Sequence, residues 1–192
     1  MSVQERHKTF DEVLLKPVKR QFTTLEALLD RCLPTLAARL WATCGWPESM
    51  SEGWKIGDFN FLVLETVPEP EARIYIQFWS EPLETVSAEV SSGEWSPGTL
   101  KYLRAERRRQ LKAFGFEIGG RAKNFQKEVR ISTSQEAEAV AREALQILFE
   151  VFGYRGQWPL TVKRHQGQRA DLAHTYTSLT PEDFAKLAQA SE

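Results

Sequence analysis

The sequence predicts a single α+β domain with an antiparallel five-stranded sheet, in the element order α-β-β-β-α-β-β-α. Three observations predict this class. Apolar residues recur at helical spacing in three segments. Five other segments are short and either continuously apolar or alternating, as strands are. The links between the first three of these are short and contain proline, which favours antiparallel neighbours because a parallel pair needs a long crossover.

The composition is that of one globular domain. The chain has 192 residues, of which 42% are hydrophobic and 27% charged, enough for one core. The formal net charge is −1, so no overall field favours nucleic acid or an acidic membrane surface. Residues 1–10 are too polar for a signal peptide, and no apolar run reaches the roughly 20 residues of a membrane span. The two cysteines, Cys32 and Cys44, are expected to be buried free thiols, which predicts a cytoplasmic location.

The first predicted helix begins at Thr24, a residue type that caps helices, and ends at Gly45. Pro34 is expected to kink this helix or split it in two, because proline has no amide to bond to Asp30. Residues 1–23 are predicted to form an N-terminal arm that packs on the domain through a short amphipathic turn or strand. The apolar positions of the helix are Leu25, Leu28, Leu29, Cys32, Leu33, Leu36, Leu40 and Trp41.

Three strands are predicted next. Residues 59–67 are apolar on both faces, which suits a central, covered strand. In residues 73–79 the side chains alternate, so that Tyr75 and Trp79 share the face opposite the apolar one. Residues 85–90 alternate as well, which predicts one solvent-facing side. The acids on or beside these strands are expected to be exposed: Asp58, Glu65 and Glu89.

A second helix, a hairpin and a third helix complete the predicted domain. The second helix covers residues 100–114, and the hairpin strands cover residues 116–118 and 124–132. Ser134 is predicted to cap the third helix, because two glutamates in the opening turns suit the positive end of the helix dipole. Gly153 is predicted to end that helix.

Residues 154–192 are predicted to form an extended tail with a short C-terminal helix. Gly156, Pro159 and many polar residues interrupt any hydrophobic period. Pro181 suits the first position of a helix over residues 181–190, which needs to dock because a helix of about ten residues is marginal alone. The predicted organisation is therefore an arm (1–23), a domain (24–153) and a tail (154–192).

No catalytic, metal-binding or cofactor-binding pattern is visible. Ser87 and Ser91 have no nearby histidine and no nucleophile-elbow pattern. The glycines at 115, 119 and 120 lack the lysine of a phosphate-binding loop and suit tight turns. The sequence thus predicts no metal, no cofactor and no enzyme, and an enzyme site assembled from distant residues is the least favoured class. The histidines lie outside any dense cluster at metal-ligand spacing: His7, His165 and His174.

The second helix carries a basic cluster. Arg104, Arg107 and Arg108 are its candidate binding residues, and Arg109 and Lys112 extend it. Three interpretations stay open: a solvated face whose arginine stems cover the sheet, a surface for an acidic protein partner, and a contact to nucleic-acid phosphates. The first is favoured over the second and the second over the third, because the net charge is nearly neutral.

Aromatic side chains supply the other candidate surface. Tyr75 and Trp79 lie on the less apolar face of their strand, and Trp41 and Trp95 lie near the ends of predicted elements. Such residues are enriched at protein interfaces, so all four are predicted to bind a partner, with a place in the core as the alternative for any single tryptophan. A five-stranded sheet with few helices leaves surface uncovered, which predicts a homodimer.

Short motifs between Ile74 and Pro159 resemble those of a bacterial family. The resemblance is to the type III secretion chaperone-like superfamily, in particular its peptide-binding chaperone-like (TY-Chap) domains. It implies the same element order and a small, usually dimeric, non-enzymatic binder of peptide segments. Family members often carry Gly-Trp and then a proline after the second helix, where this chain has Gly115-Phe116. The motifs are Tyr75-Ile-Gln-Phe78, Ala88-Glu-Val-Ser-Ser92, Leu111-Lys-Ala-Phe-Gly-Phe116, Asn124-Phe125, Phe149-Glu-Val-Phe-Gly153 and Trp158-Pro159.

The predicted function is therefore non-catalytic binding of a protein or peptide segment, in a chaperone-like or accessory role in a bacterial secretion or conflict system. An extended peptide would lie on exposed sheet aromatics, with main-chain hydrogen bonds at a sheet edge. The alternative is a nucleic-acid-associated protein that uses the arginines of the second helix. The expected partners are a protein or peptide client and a second copy of the chain, and no membrane.

Overall fold

The computed structural model describes residues 9–18, 21–45, 58–80, 85–94, 96–118 and 124–168. The class is α+β, as predicted, with three α-helices and an antiparallel sheet among these residues. In chain order the elements are β1 (Thr9–Leu15), α1 (Leu25–Cys44), β2 (Asp58–Glu69), β3 (Ala72–Ser80), β4 (Val86–Val90), a 3-10 turn (Pro97–Lys101), α2 (Ala105–Ala113), β5 (Glu117–Ile118), β6 (Phe125–Val129), α3 (Ser134–Gln146), a π turn (Ile147–Val151) and β7 (Leu160–Gln168).

One sheet contains seven strands from the described part of the chain, in the order β1-β7-β2-β3-β4-β6-β5. The prediction of five strands was wrong. The two additional strands are β1 and β7, which come from the segments for which the sequence predicts an arm and an extended tail. β7 lies between β1 and β2, with seven register pairs to β1 and nine to β2. Pairing on both sides makes this polar segment a strand, because every main-chain group of a central strand finds a partner.

The register divides the sheet into two faces. On the inner face, Leu62 lies opposite Phe78 and Leu64 lies opposite Ile76. α1 contacts β2, β3 and β7 and packs against α3, and the inner face and the helices together form one hydrophobic cluster. The opposite face, called the outer face below, contributes none of its described strand side chains to this cluster. The helices therefore cover one side of the sheet.

α1 is one helix from Leu25–Cys44, capped as predicted by Thr24, whose Oγ1 accepts from the Ala27 amide at 3.3 Å. The split expected at Pro34 does not occur. Pro34 is exposed, so its ring lies on the solvent side of the helix, while the core side carries buried neighbours such as Leu33 and Leu36. The helix continues past the missing hydrogen bond of Pro34 because its buried face packs on the sheet on both sides of that residue.

The predicted second helix is divided. A 3-10 turn precedes α2, and Leu100, the first residue of the predicted helix, is 45% exposed. The amide of Gly98 donates to the Glu71 carbonyl at 2.9 Å, and a Cβ on this glycine would collide with that oxygen. The Thr99 hydroxyl donates to the Arg73 carbonyl at 2.7 Å. Contacts to the link between β2 and β3 thus hold this segment in a turn before α2 begins.

α3 begins one residue before the predicted position. Thr133 is the cap: its Oγ1 accepts from the Glu136 amide at 3.1 Å, while Glu136 Oε2 accepts from the Thr133 amide at 3.1 Å. The predicted cap, Ser134, lies in the first turn instead. Gly153, with φ of 72°, follows the π turn and ends the helix as predicted.

Candidate functional site

The outer face is the side of the sheet on which no described helix packs, and several of its central side chains are buried. Register pairs place Gln77 opposite Glu89 and Glu89 opposite Gln126, so a row of polar side chains crosses three strands. Aromatic side chains of β2 and β3 lie beside this row. The central residues of the outer face are Phe61, Val63, Glu65, Tyr75, Gln77, Trp79, Ser87, Glu89, Asn124, Gln126 and Glu128.

Hydrogen bonds join five of these side chains into what we call the outer-face network. Glu89 Oε1 accepts from Gln77 Nε2 at 2.7 Å and from Asn124 Nδ2 at 2.8 Å. The other carboxylate oxygen accepts from Gln126 Nε2 at 2.8 Å. Asn124 Nδ2 also donates to the Tyr75 hydroxyl at 2.8 Å. β3, β4 and β6 are therefore connected through their side chains as well as their backbones.

Glu89 is a buried acid, only 4% exposed. Burial raises its pKa, and the hydrogen bonds from Gln126, Asn124 and Tyr75 offset that effect in part. The expectation that the acids on these strands are exposed was wrong for Glu89 and for Glu65, which is 9% exposed. Neighbouring strands supply donors to both carboxylates, which a single strand's alternation does not reveal.

Two cations neutralise Glu65 on the outer face. Lys163 Nζ lies 2.8 Å from Glu65 Oε2, and Arg73 Nη1 lies 3.5 Å from Oε1. Lys163 belongs to β7. The strand that the sequence did not predict therefore also contributes to the outer face.

Tyr75 and Trp79, two of the predicted binding residues, lie on the outer face and are both half-buried. Tyr75 belongs to the outer-face network, and Trp79 lies opposite Phe61, which is 6% exposed. Four residues along a strand span about 13 Å, so the two aromatic rings are spaced like side chains i and i+4 on one face of an extended peptide.

Trp41 does not share this face. It lies on α1, half-buried against the hydrophobic cluster, and its ring lies so close to Gly45 that a Cβ there would collide with it. Because α1 packs on the inner face, Trp41 is separated from Tyr75 and Trp79 by the sheet. Trp95, the fourth predicted aromatic residue, lies outside the described residues.

The arginines of α2 lie on a different surface. Arg104 is the exposed residue before the first turn. Arg107 is half-buried, and its Nη1 donates to the Tyr102 carbonyl at 2.8 Å. Arg108 is exposed, and its Nε donates to the Leu103 carbonyl at 3.3 Å. The side chains of Arg107 and Arg108 thus bond to the two residues that follow Lys101, the last residue of the 3-10 turn.

Sequence reasoning missed two parts of these surfaces. In the sequence analysis, Asn124 of the outer-face network is named only as a residue of a family motif. The amide side chains of Asn124 and Gln126, two positions apart, are the signal of a polar strand face that could have identified it. Arg155, which approaches Arg107, follows Gly153 in a segment without hydrophobic period, so no sequence signal identifies it.

Both cysteines are free and buried, as predicted. Burial raises the pKa of the Cys32 thiol to about 11 and that of the Cys44 thiol to about 12. Both are therefore protonated at neutral pH, which disfavours a role as nucleophile. Among the described residues, no group of three or more histidine, cysteine, aspartate or glutamate side chains is placed to hold a metal ion.

Among the described helices, none combines the length and the apolar character that crossing a membrane requires.

The described residues form a domain with helices on one side of an antiparallel sheet and a polar and aromatic face on the other. A family model described as TY-Chap3, "T3SS (YopN, CesT) and YbjN peptide-binding chaperone 3", matches residues 34–166. This match covers more than half of the chain, so the protein belongs to that family, and the resemblance to secretion chaperone-like proteins is confirmed. The match begins inside α1 and ends inside β7. The comparisons with curated proteins and with solved structures found no match.

Proposed function

We propose that the protein binds an extended segment of a client protein on its outer face and catalyses no reaction. The observation that carries this proposal is the position of Tyr75 and Trp79, which are less buried than most of the outer-face residues around them and lie on the side where no described helix packs. The family's description as peptide-binding chaperones supports the same class of ligand.

A peptide that runs along β3 would place side chains i and i+4 of one face against Tyr75 and Trp79. Between these rings lies Gln77, and Gln126 lies two strands away. Because Nε2 of each glutamine donates to Glu89, it is the side-chain oxygens that would accept from a peptide main chain, and that of Gln126 is on the less buried residue of the two. The aromatic rings would supply apolar contact area, and the amides would supply main-chain contacts.

The chemistry of the described residues supports a non-enzymatic role. Both thiols have raised pKa values, and both oxygens of Glu89 accept hydrogen bonds from amides. Three amide hydrogen bonds direct this carboxylate at neighbouring side chains of the sheet, which gives it a structural role.

The wider role that we propose is that of a chaperone-like or accessory protein in a bacterial secretion or conflict system, acting in the cytoplasm as a homodimer. The family description supports the secretion context, and two free cysteines suit a reducing compartment. Exposed apolar side chains on the outermost strands support a second copy: Leu14 of β1 is 52% exposed and Ile118 of β5 is 64% exposed.

Selection from a displayed library of short random peptides on the immobilised protein tests this function. Affinities of the selected peptides are then measured by fluorescence anisotropy. We expect Tyr75→Ala and Trp79→Ala each to weaken binding by about tenfold or more, because buried aromatic residues dominate interface energies. Arg142→Ala, an exposed change on α3, is the matched control and should leave affinity unchanged.

A photo-crosslinking residue gives a second readout that does not depend on the stability of the aromatic variants. Placed at Ser87 on the outer face it should capture a selected peptide, and placed at the exposed Ala139 on α3 it should not. Failure to select any peptide, or capture from Ala139 alone, would overturn the proposed function.

A further inference from the structure

Two arginine side chains approach each other where α2 packs against the π turn. A Cβ placed on Gly153 would have Arg107 Nη2 as its nearest neighbour, 3.6 Å away. Arg155 follows Gly153 by two positions, and both arginines are half-buried. Two effects lower the pKa of Arg155: desolvation, which is the larger, and repulsion from the charge of Arg107.

Backbone carbonyls hold both guanidinium groups in place. In each arginine the donor is Nη1. Arg107 Nη1 donates to the Tyr102 carbonyl at 2.8 Å. Arg155 Nη1 donates to the Phe149 carbonyl at 2.6 Å and to the Tyr154 carbonyl at 2.9 Å, and its guanidinium stacks 3.4 Å from the centre of the Phe149 ring. In each arginine the edge formed by Nε and Nη2 is left for other acceptors, and this edge binds carboxylates in bidentate fashion.

Neither arginine has a carboxylate partner among the described residues. Arg107 and Arg155 make no ion pair there, and their described hydrogen bonds go to uncharged carbonyl oxygens. Two half-buried positive charges therefore lie near Gly153 without a neutralising anion from the described chain. By contrast, several other cations do pair with acids: Lys101 with Glu69, Lys127 with Glu143, Arg142 with Glu138, and Lys163 and Arg73 with Glu65.

We propose that Arg107 and Arg155 form a binding site for a carboxylate, supplied by an aspartate or glutamate side chain from a part of the client that extends beyond the outer face. This inference rests on the proposed function and adds a chemical requirement for its ligand. Two fixed guanidinium edges can each donate two hydrogen bonds to the oxygens of one carboxylate, and the bound charge would relieve their mutual repulsion.

The surroundings favour a single carboxylate over a nucleic-acid backbone. Glu106 precedes Arg107 on α2, and Glu150 lies in the π turn; both are exposed. A strand of phosphates that passed over the two arginines would also meet these acids, whereas one carboxylate needs only the guanidinium pair. The net charge of −1 adds no attraction for a polyanion.

The first experiment titrates the isotope-labelled protein with two blocked tripeptides, acetyl-Gly-Glu-Gly-amide and acetyl-Gly-Gln-Gly-amide, and follows the arginine Nε–H signals by NMR. We expect the glutamate peptide to shift the signals of Arg107 and Arg155 and the glutamine peptide to leave them unchanged. Arg107→Gln should abolish the response of the remaining partner, Arg155. Arg109→Gln, an exposed change on the same helix, is the matched control and should preserve the response.

Equal shifts with both tripeptides, or an unaltered response in Arg107→Gln, would overturn the proposal. Stronger binding of inorganic phosphate than of the glutamate peptide would also overturn it, in favour of a phosphate site. Arg107→Gln is preferred over a change at Arg155 because Arg107 makes a single backbone bond, and the melting temperature of the variant reports whether the fold is intact.

The second experiment separates this inference from the proposed function. A selected peptide is first extended by random residues so that it can reach α2, and selection is repeated. Each acidic residue of the extended peptide is then replaced by its amide, and we expect one such exchange to weaken binding about tenfold in the unaltered protein and not in Arg107→Gln. If the library yields no peptide, the proposed function fails and the tripeptide titration still decides the carboxylate site. If peptides bind and no exchange matters, the carboxylate site alone fails.

Discussion

Glu89 is the residue on which the outer-face network depends. Removing an ionised carboxylate from water is costly, and amide donors offset only part of that cost. The raised pKa of Glu89 shows that the offset is incomplete in this network. The same side chain is nevertheless the common acceptor for Gln77, Asn124 and Gln126. Glu89 therefore aligns its neighbours while it destabilises the domain at neutral pH.

Replacing Glu89 by glutamine should stabilise the folded protein at neutral pH. Because the folded-state pKa is raised above the ordinary value of 4.5, the folded chain binds the proton more tightly than the unfolded chain does. Stability should thus fall as the pH rises from about that ordinary value through the raised one. In Glu89→Gln this contribution to the pH dependence should disappear, as urea unfolding at a series of pH values will measure.

Glu128→Gln is the control for that experiment, because Glu128 lies exposed on the same face. It should leave the pH dependence unchanged. Glu89→Ala, by contrast, removes the acceptor and should cost about 3 kcal/mol, since it leaves several amide donors without a partner. A Glu89→Gln protein with the full pH dependence of the original would refute this account.

At the residue scale, the sequence predicts which face a side chain occupies better than it predicts burial. The alternation in β3 places Tyr75 and Trp79 on the face opposite the core residues, as the structure has them. The burial of Glu89 has no such signal, because one of its donors, Gln126, lies 37 positions away in the chain. Alternation describes a strand by itself, whereas burial of a polar residue depends on its neighbours in the sheet.

The start of α3 is fixed by a reciprocal pair of hydrogen bonds between Thr133 and Glu136. Thr133→Ala should destabilise the protein by about 1 kcal/mol, the usual cost of losing a capping side chain. The neighbouring Ser134→Ala should have almost no effect, because the Ser134 hydroxyl bonds only to the adjacent Gln135 side chain among the described residues. Thermal unfolding of the two variants will compare them directly. A larger loss in Ser134→Ala would contradict the assignment of the cap.

Local signals explain the successes and failures at the scale of elements. For α3 the sequence contains the signal that identifies the cap. Glu136 stands three positions after Thr133, which is the spacing of a capping box, whereas the residue three positions after Ser134 is Ala137. For the second helix, no local sequence signal marks the division into a 3-10 turn and α2. The 3-10 turn depends on Gly98 meeting the Glu71 carbonyl, a contact between segments that sequence spacing does not reveal.

At the scale of the whole molecule, β7 is the strand that joins β1 to the rest of the sheet. Leu160 and Val162 of β7 are fully buried. Truncation after Gln168 keeps every described strand and should preserve a cooperative unfolding transition. Truncation after Tyr154 removes β7, which takes two buried side chains worth about 1.5–3 kcal/mol each from the core and leaves β1 unpaired. We expect this shorter chain to lose cooperative unfolding and its near-ultraviolet circular dichroism signal.

The two truncations test the predicted domain boundary, because the sequence predicts a domain that ends at residue 153, before β7 begins. The segments predicted as strands and helices up to Gly153 account for the element order of the family. β7 escapes prediction because its inward positions change from Leu160 and Val162 to the polar Arg164 and Gln166, so its apolar alternation stops after two residues. A Tyr154-truncated chain that unfolds cooperatively would show that the sheet does not need β7.

The position of β7 also sets the order in which a growing chain can fold. Among the described strands β1 pairs only with β7, and β7 is the last to leave the ribosome. While the earlier segments emerge, β1 has no partner, and β2 presents an open edge beside unfilled core. The sheet can close only when residue 168 is clear of the exit tunnel, so the nascent protein passes through a state with exposed strand edges that itself requires protection from aggregation.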